Sequence, residues 1–145
     1  SQSMAILEYL EEAYPGTKLL PQSEPMRSKV RAFCNMIACD IHPLNNLRVM
    51  NYIRTEFKAD PTDNWYAHWI PEGFKAGESL ANDGPYVFGD AVTLADPFLV
   101  PQVSNAPRYT VPLRDYPKLV AATESCNMLS AFQDALPESQ SDADA

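Results

Sequence analysis

Residues 92–103 read VTLADPFLVPQV, and they hold the clearest helix start in the chain. Thr93 is placed to cap a helix, its hydroxyl accepting a bond from a free backbone N–H. Asp96 lies three residues on, where its carboxylate can reach back to the N–H of Thr93. The box normally uses Glu or Gln, so Asp is a shorter-armed version, and its charge suits the positive end of the helix. Pro97 follows at once and removes an early N–H, which raises the weight the box must carry.

Outward from this start the chain reads as helix nearly throughout. Ser3 to Ala13 predicts a first helix, with Ile6, Leu10 and Ala13 on its apolar face and Pro15-Gly16 at its end. Met26, Val30, Phe33, Ile37, Ile41, Leu44 and Leu47 recur at three- and four-residue steps, predicting a long second helix that continues to Ile53. Ser23 is its N-cap and Pro43 its kink. A third helix is expected from near Thr62, with Trp65, Trp69, Ala76 and Leu80 as its stripe. Gly73 and Gly77 leave one side of it open to close approach, and Pro71 predicts a bend. Two shorter helices follow, after Tyr116-Pro117 and around Met128–Ala135. No alternating strand pattern, repeat or heptad run is present. The expected class is all-α, with about five to seven helices.

The formal net charge is −8 on 145 residues, which suits one domain and disfavours nucleic-acid and anionic-membrane partners. No apolar run is long enough to span a bilayer. Three cysteines, Cys34, Cys39 and Cys126, form no CxxC pair and predict a reduced, intracellular protein with free thiols. Cys39 and His42 lie three apart, but no further ligands stand at suitable spacing, so no metal site is expected.

His42, Asn45, Asn46 and Arg48 surround Pro43. Taken alone they read as the polar side of an amphipathic helix, with His42 and Asn46 on one face and Arg48 turned to another surface. Arg108 ends the VSNAPR run near Asn105. Alone it reads as a solvated cation, although a planar guanidinium also grips carboxylates.

The stretches QSMAILEYLEEAYPGTKLLP, IHPLNNLRV, GPYVFGDAVTLADPFLVPQVSNAPRYTVPL and YPKLV through SAFQDALPESQSDA resemble the zeta-class glutathione transferases. This is the family of maleylacetoacetate isomerase and maleylpyruvate isomerase. The resemblance runs essentially end to end. It implies a glutathione-dependent cis–trans isomerase of maleylacetoacetate-type diacids in aromatic amino-acid catabolism, cytoplasmic and homodimeric. The alternatives are a maleylpyruvate isomerase, a general glutathione transferase or dehalogenase, or a non-catalytic helical interaction domain.

The resemblance implies that residues 1–15 are the last helix of a truncated thioredoxin-like domain, residues 16–137 the helical C-terminal domain, and residues 138–145 a flexible acidic tail. Gln2 and Ser3 match the pair that holds the γ-glutamyl end of glutathione. His42 and Asn46 match glutathione contacts, and Arg48 and Arg108 match positions lining the acidic-substrate pocket. The family's SSCxxxR motif, which sits at the glutathione sulfur, is absent from these residues and is expected upstream.

Overall fold

The computed structural model describes residues 1–60, 64–109 and 111–143. Among them are seven α-helices: α1 (Ser3–Ala13), α2 (Glu24–Asn35), α3 (Leu47–Glu56), α4 (Trp65–Leu80), α5 (Ala95–Asn105), α6 (Pro117–Asn127) and α7 (Ser130–Asp134). No strand occurs among the described residues, and the isolated Tyr86–Gly89 bridge closes a turn. The all-α expectation holds. The expected helix start near Thr62 lies outside the described residues, and the acidic tail makes a 3-10 turn over Pro137–Ser139.

α5 packs between α2 and α6. Leu94, just before it, and Ala95, Leu99 and Val103 on it are buried in the same apolar core as Phe33, Phe74 and Leu119. The capping box forms as its spacing predicts. Thr93 N–H donates to Asp96 Oδ2 at 2.7 Å, and Ala95 N–H donates to Thr93 Oγ1 at 3.3 Å. Asp96 does more than close the helix. It is wholly buried, and its Oδ1 accepts the N–H of Val87 at 3.0 Å, tying down the preceding loop.

Three stripes differ from the sequence reading. On α1, Ile6 and Leu10 are exposed, as is Ala13, while Met4, Leu7, Glu8 and Glu11 turn inward. Charge decides this face. Glu8 grips Arg31 of α2 through two bonds of 2.6 and 3.0 Å, and Glu11 accepts the N–H groups of Leu19 and Leu20. On α4, Tyr66, Ile70, Phe74 and Gly77 are buried; Trp65 and Trp69 are only half-buried, and Leu80 is exposed. The buried stripe is rotated by one residue because Tyr66 stacks on Tyr109, their centroids 3.7 Å apart. α4 runs through Pro71 without ending.

The third difference is the long second helix, which breaks rather than kinks. After α2 the backbone widens to a π-helix over Met36–Ile41, tightens to a 3-10 turn over Pro43–Asn45, and leaves helix altogether at Asn46 (ψ 141°). Pro43 has no N–H to donate and crowds the turn before it, and a widened turn relieves that crowding. The N–H of His42 accordingly reaches back five residues to Ile37 O at 2.8 Å. Trp65 Nε1 clamps the break by donating to Leu44 O at 2.7 Å. Ser23 does precede α2, but its hydroxyl makes no capping bond.

Candidate functional site

The break at Pro43 opens a cleft of about 660 Å³ between α1, the π-helix and α5. Gln2 and Ser3 line it from the N-terminus of α1; His42, Asn46 and Arg48 line it from the break. Five of the six residues named from the sequence therefore meet in one cavity. The route differs from the expected one. His42 and Asn46 do not share a helical face, since Asn46 is extended and caps α3 by accepting the N–H of Arg48 at 2.9 Å. Ending the helix there also brings Arg48 onto the same cleft instead of a separate surface. Arg108 is exposed on the 3-10 turn Ala106–Tyr109 and is not among the residues lining the cavity, although Asn105 is.

Apart from Asn105, the residues of the α5 wall are not among the site candidates that the sequence offers. Pro97, Phe98, Pro101, Gln102 and Asn105 all face the cleft. Their spacing of one, three, one and three puts them on one side of a helix, a signal present in the sequence but overshadowed by the capping box.

Three features fit an anionic ligand with a peptide-like body. First, α1 begins without a side-chain cap, so its first N–H groups are open at the positive end of the dipole, beside the Ser3 hydroxyl. Second, Gln2 holds φ 71° and ψ 113°, a strained backbone for a side-chain-bearing residue. Such strain costs on the order of 1–3 kcal/mol and collects at ligand sites. Third, no Asp, Glu or Lys is among the lining residues, and Arg48 is their guanidinium. In a chain of net charge −8 this leaves a local pocket where a carboxylate meets donors and no repelling carboxylate. Cys39, exposed on the π-helix, also lines the cleft, and among the described residues no group of three or more His, Cys, Asp or Glu side chains could hold a metal ion.

No protein-family model matches the chain. Known proteins do. A maleylpyruvate isomerase from a Ralstonia species is 45% identical, over 98% of this chain and 70% of that protein. A solved holo structure of maleylpyruvate isomerase, described as a bacterial glutathione transferase of the zeta class, superposes with a TM-score of 0.93 at 45% identity, covering 98% of this chain and 70% of that one. This chain belongs to the zeta-class glutathione transferases.

A further solved neighbour is a maleylacetoacetate isomerase from Anaeromyxobacter dehalogenans, with dicarboxyethyl glutathione and citrate bound in its active site. It superposes with a TM-score of 0.93 at 39% identity, covering 99% of this chain and 66% of that one. In this chain the VTLADPFLVPQV segment supplies both the capping box and one wall of the cleft.

Proposed function

We propose that this chain forms the helical wall of a glutathione-dependent cis–trans isomerase acting on maleylacetoacetate- or maleylpyruvate-type diacids. The observation that carries the reading is the convergence of Gln2, Ser3, His42, Asn46 and Arg48 on one cleft free of acidic side chains. The residues fit glutathione. The open N-terminus of α1 and the Ser3 hydroxyl take the γ-glutamyl carboxylate, while His42 and Asn46 hold the peptide from the break. When bound, glutathione supplies the thiol that adds to the cis double bond and leaves it again. Arg48 holds a carboxylate of the diacid and the negative charge that develops during rotation. Arg108 stands outside that lining, exposed on the turn three residues beyond Asn105, and the family resemblance alone gives it the part of a second cation.

The groups that ionise the thiol lie outside these residues, which contain no SSCxxxR motif. Residues 1–15 then belong with a thioredoxin-like domain, and residues 16–137 form the helical domain. Two observations support this division. No residue of α1 is buried, and Tyr9, Leu10 and Tyr14 at its C-terminal end present an apolar outer surface of the kind a neighbouring domain or a dimer partner covers. The free thiols of Cys34, Cys39 and Cys126 agree with a cytoplasmic setting.

The test is kinetic, on the protein expressed from its complete gene. Arg48→Ala and Arg108→Ala should each lower kcat/KM for the diacid by about 10- to 100-fold, the range of a lost charged hydrogen bond. Glutathione affinity should change less than about threefold. Wild-type protein that isomerises no maleyl diacid, or unchanged kinetics in both variants, overturns the assignment.

A further inference from the structure

Gln102 is a polar side chain in an apolar wall. Its residue is only 7% exposed, on the side of α5 that carries Phe98 one turn before it and Asn105 one turn after. Among the described residues its side-chain amide has no hydrogen-bond partner. Yet neither amide atom is sealed from solvent, because the one orphaned buried side-chain atom among the described residues is Asn45 Oδ1. An amide that is buried as a residue, unbonded, and still in touch with solvent has one place to point: the cleft that Gln102 lines. A Leu or Met there would pack against Pro97, Phe98 and Pro101 without the cost of an unpaired amide.

The chemistry of the wall narrows what the amide meets. Proline has no N–H, so Pro101 leaves the carbonyl of Pro97 without its ordinary helical donor, adding acceptor character but no positive charge. A carboxylate placed against neutral amides and prolines would be desolvated without a counter-charge. An uncharged oxygen needs only a hydrogen bond. A primary amide both donates and accepts, so it serves a ketone and the hydroxyl of its enol alike.

Resting on the isomerase reading above, we propose that Gln102, together with Asn105, binds the uncharged oxo or enol oxygen between the two carboxylates of the substrate and so selects oxo diacids over plain ones. The cleft is then divided by charge. The helix termini and Arg48 take the ionised groups, and α5 takes the neutral middle.

The experiment uses the protein from its complete gene, with wild type, Gln102→Met and Gln102→Glu. Met keeps the length and removes the amide; Glu keeps the shape, removes both donors and adds a charge. Turnover of maleylpyruvate is measured beside inhibition by two saturated probes of equal length, 4-oxoheptanedioate and heptanedioate. Wild type should bind the oxo probe about tenfold more tightly, the discrimination expected where a buried donor is left unpaired by the wrong ligand. Either folded variant should lose that preference and about tenfold in kcat/KM for maleylpyruvate, with heptanedioate inhibition and glutathione affinity in Gln102→Met unchanged within about twofold. A role confined to packing would weaken both probes equally and would overturn the inference, as would a preference that survives in the variants. These outcomes leave the isomerase reading standing. Wild-type protein that turns over no maleyl diacid overturns that reading, and this inference with it.

Discussion

Replacing Asp96 with Ala should remove the junction on which α5 is hung. Three bonds would be lost from buried donors: Val87 N–H at 3.0 Å, Thr93 N–H at 2.7 Å and Thr93 Oγ1 at 3.1 Å. The Cys126 thiol contributes a weak fourth contact at 3.8 Å. The two N–H groups have fixed directions, and each costs about 1–3 kcal/mol when orphaned. The hydroxyl can rotate toward another acceptor and costs less. One term runs the other way. Burial pushes the Asp96 carboxyl above its ordinary value of 3.8, against the pull of those donors, so the native charge is itself costly. The net loss is about 3–4 kcal/mol, a large part of the 5–15 kcal/mol typical of a domain. At 145 residues this corresponds to a Tm about 10 °C lower.

Urea unfolding followed by circular dichroism at 222 nm should show the midpoint fall with its slope unchanged. The amides of Val87 and Thr93 should exchange with solvent faster than those of α4. A loss under about 1 kcal/mol at constant slope would show that the buried carboxylate costs nearly as much as its bonds return, and would refute the reasoning.

Gly73→Ala places a methyl group inside the contact radius of Ile41 Cδ1 and Cγ1, and should cost about 1–3 kcal/mol in the same urea assay. Ile41→Val should recover part of that loss only in the Gly73→Ala background. The Glu8–Arg31 pair is partly exposed, at 24% and 35% of the side chains, so Arg31→Ala should cost only about 1 kcal/mol. Its signature is in the pH dependence. The Arg31 guanidinium bonded to Glu8 holds that carboxyl below its ordinary 4.5, so the stabilisation is present above that pH and disappears as pH falls through the lower folded value. Acid titration of wild type and Arg31→Ala should converge at low pH and separate above about 4.5; parallel curves would remove the pair from the account.

Much of the fold was legible because local rules and tertiary structure agree. The Thr93–Asp96 box, the Pro15-Gly16 stop and the helices after Pro117 and around Phe132 depend on near neighbours. The misread faces depend on distant ones. Nothing local to α1 says that Arg31, twenty-three residues from Glu8, turns the acidic side inward. Nothing local to α4 says that Tyr109 stacks on Tyr66. The site shows the same division: Gln2, Ser3, His42 and Asn46 were named through resemblance, whereas their meeting point depends on a helix break whose size spacing alone does not give.

On the function proposed above, the break also explains how one cleft can serve a peptide and a diacid. Pro43, Pro97 and Pro101 all line it. Each proline withholds a backbone donor: around Pro43 the helix widens and stops, Pro101 leaves the carbonyl of Pro97 without its helical donor, and Pro97 itself sits in the first turn of α5, where a missing N–H is tolerated. Beside them α1 starts without a side-chain cap, while the start of α3 is closed by the Asn46 side chain, so the open backbone groups at the cleft come from α1 and from the proline-bearing helices. In a packed core such groups would cost stability. Around a solvent-filled cleft they stay hydrated until a ligand with carboxylates, amides and oxo groups replaces that water. Smoothing the wall, for example by Pro43→Ala, should therefore favour continuous helix from α2 into α3. It should also swing Arg48 away from Gln2 and Ser3, so that the bundle becomes more regular while its pocket loses a wall.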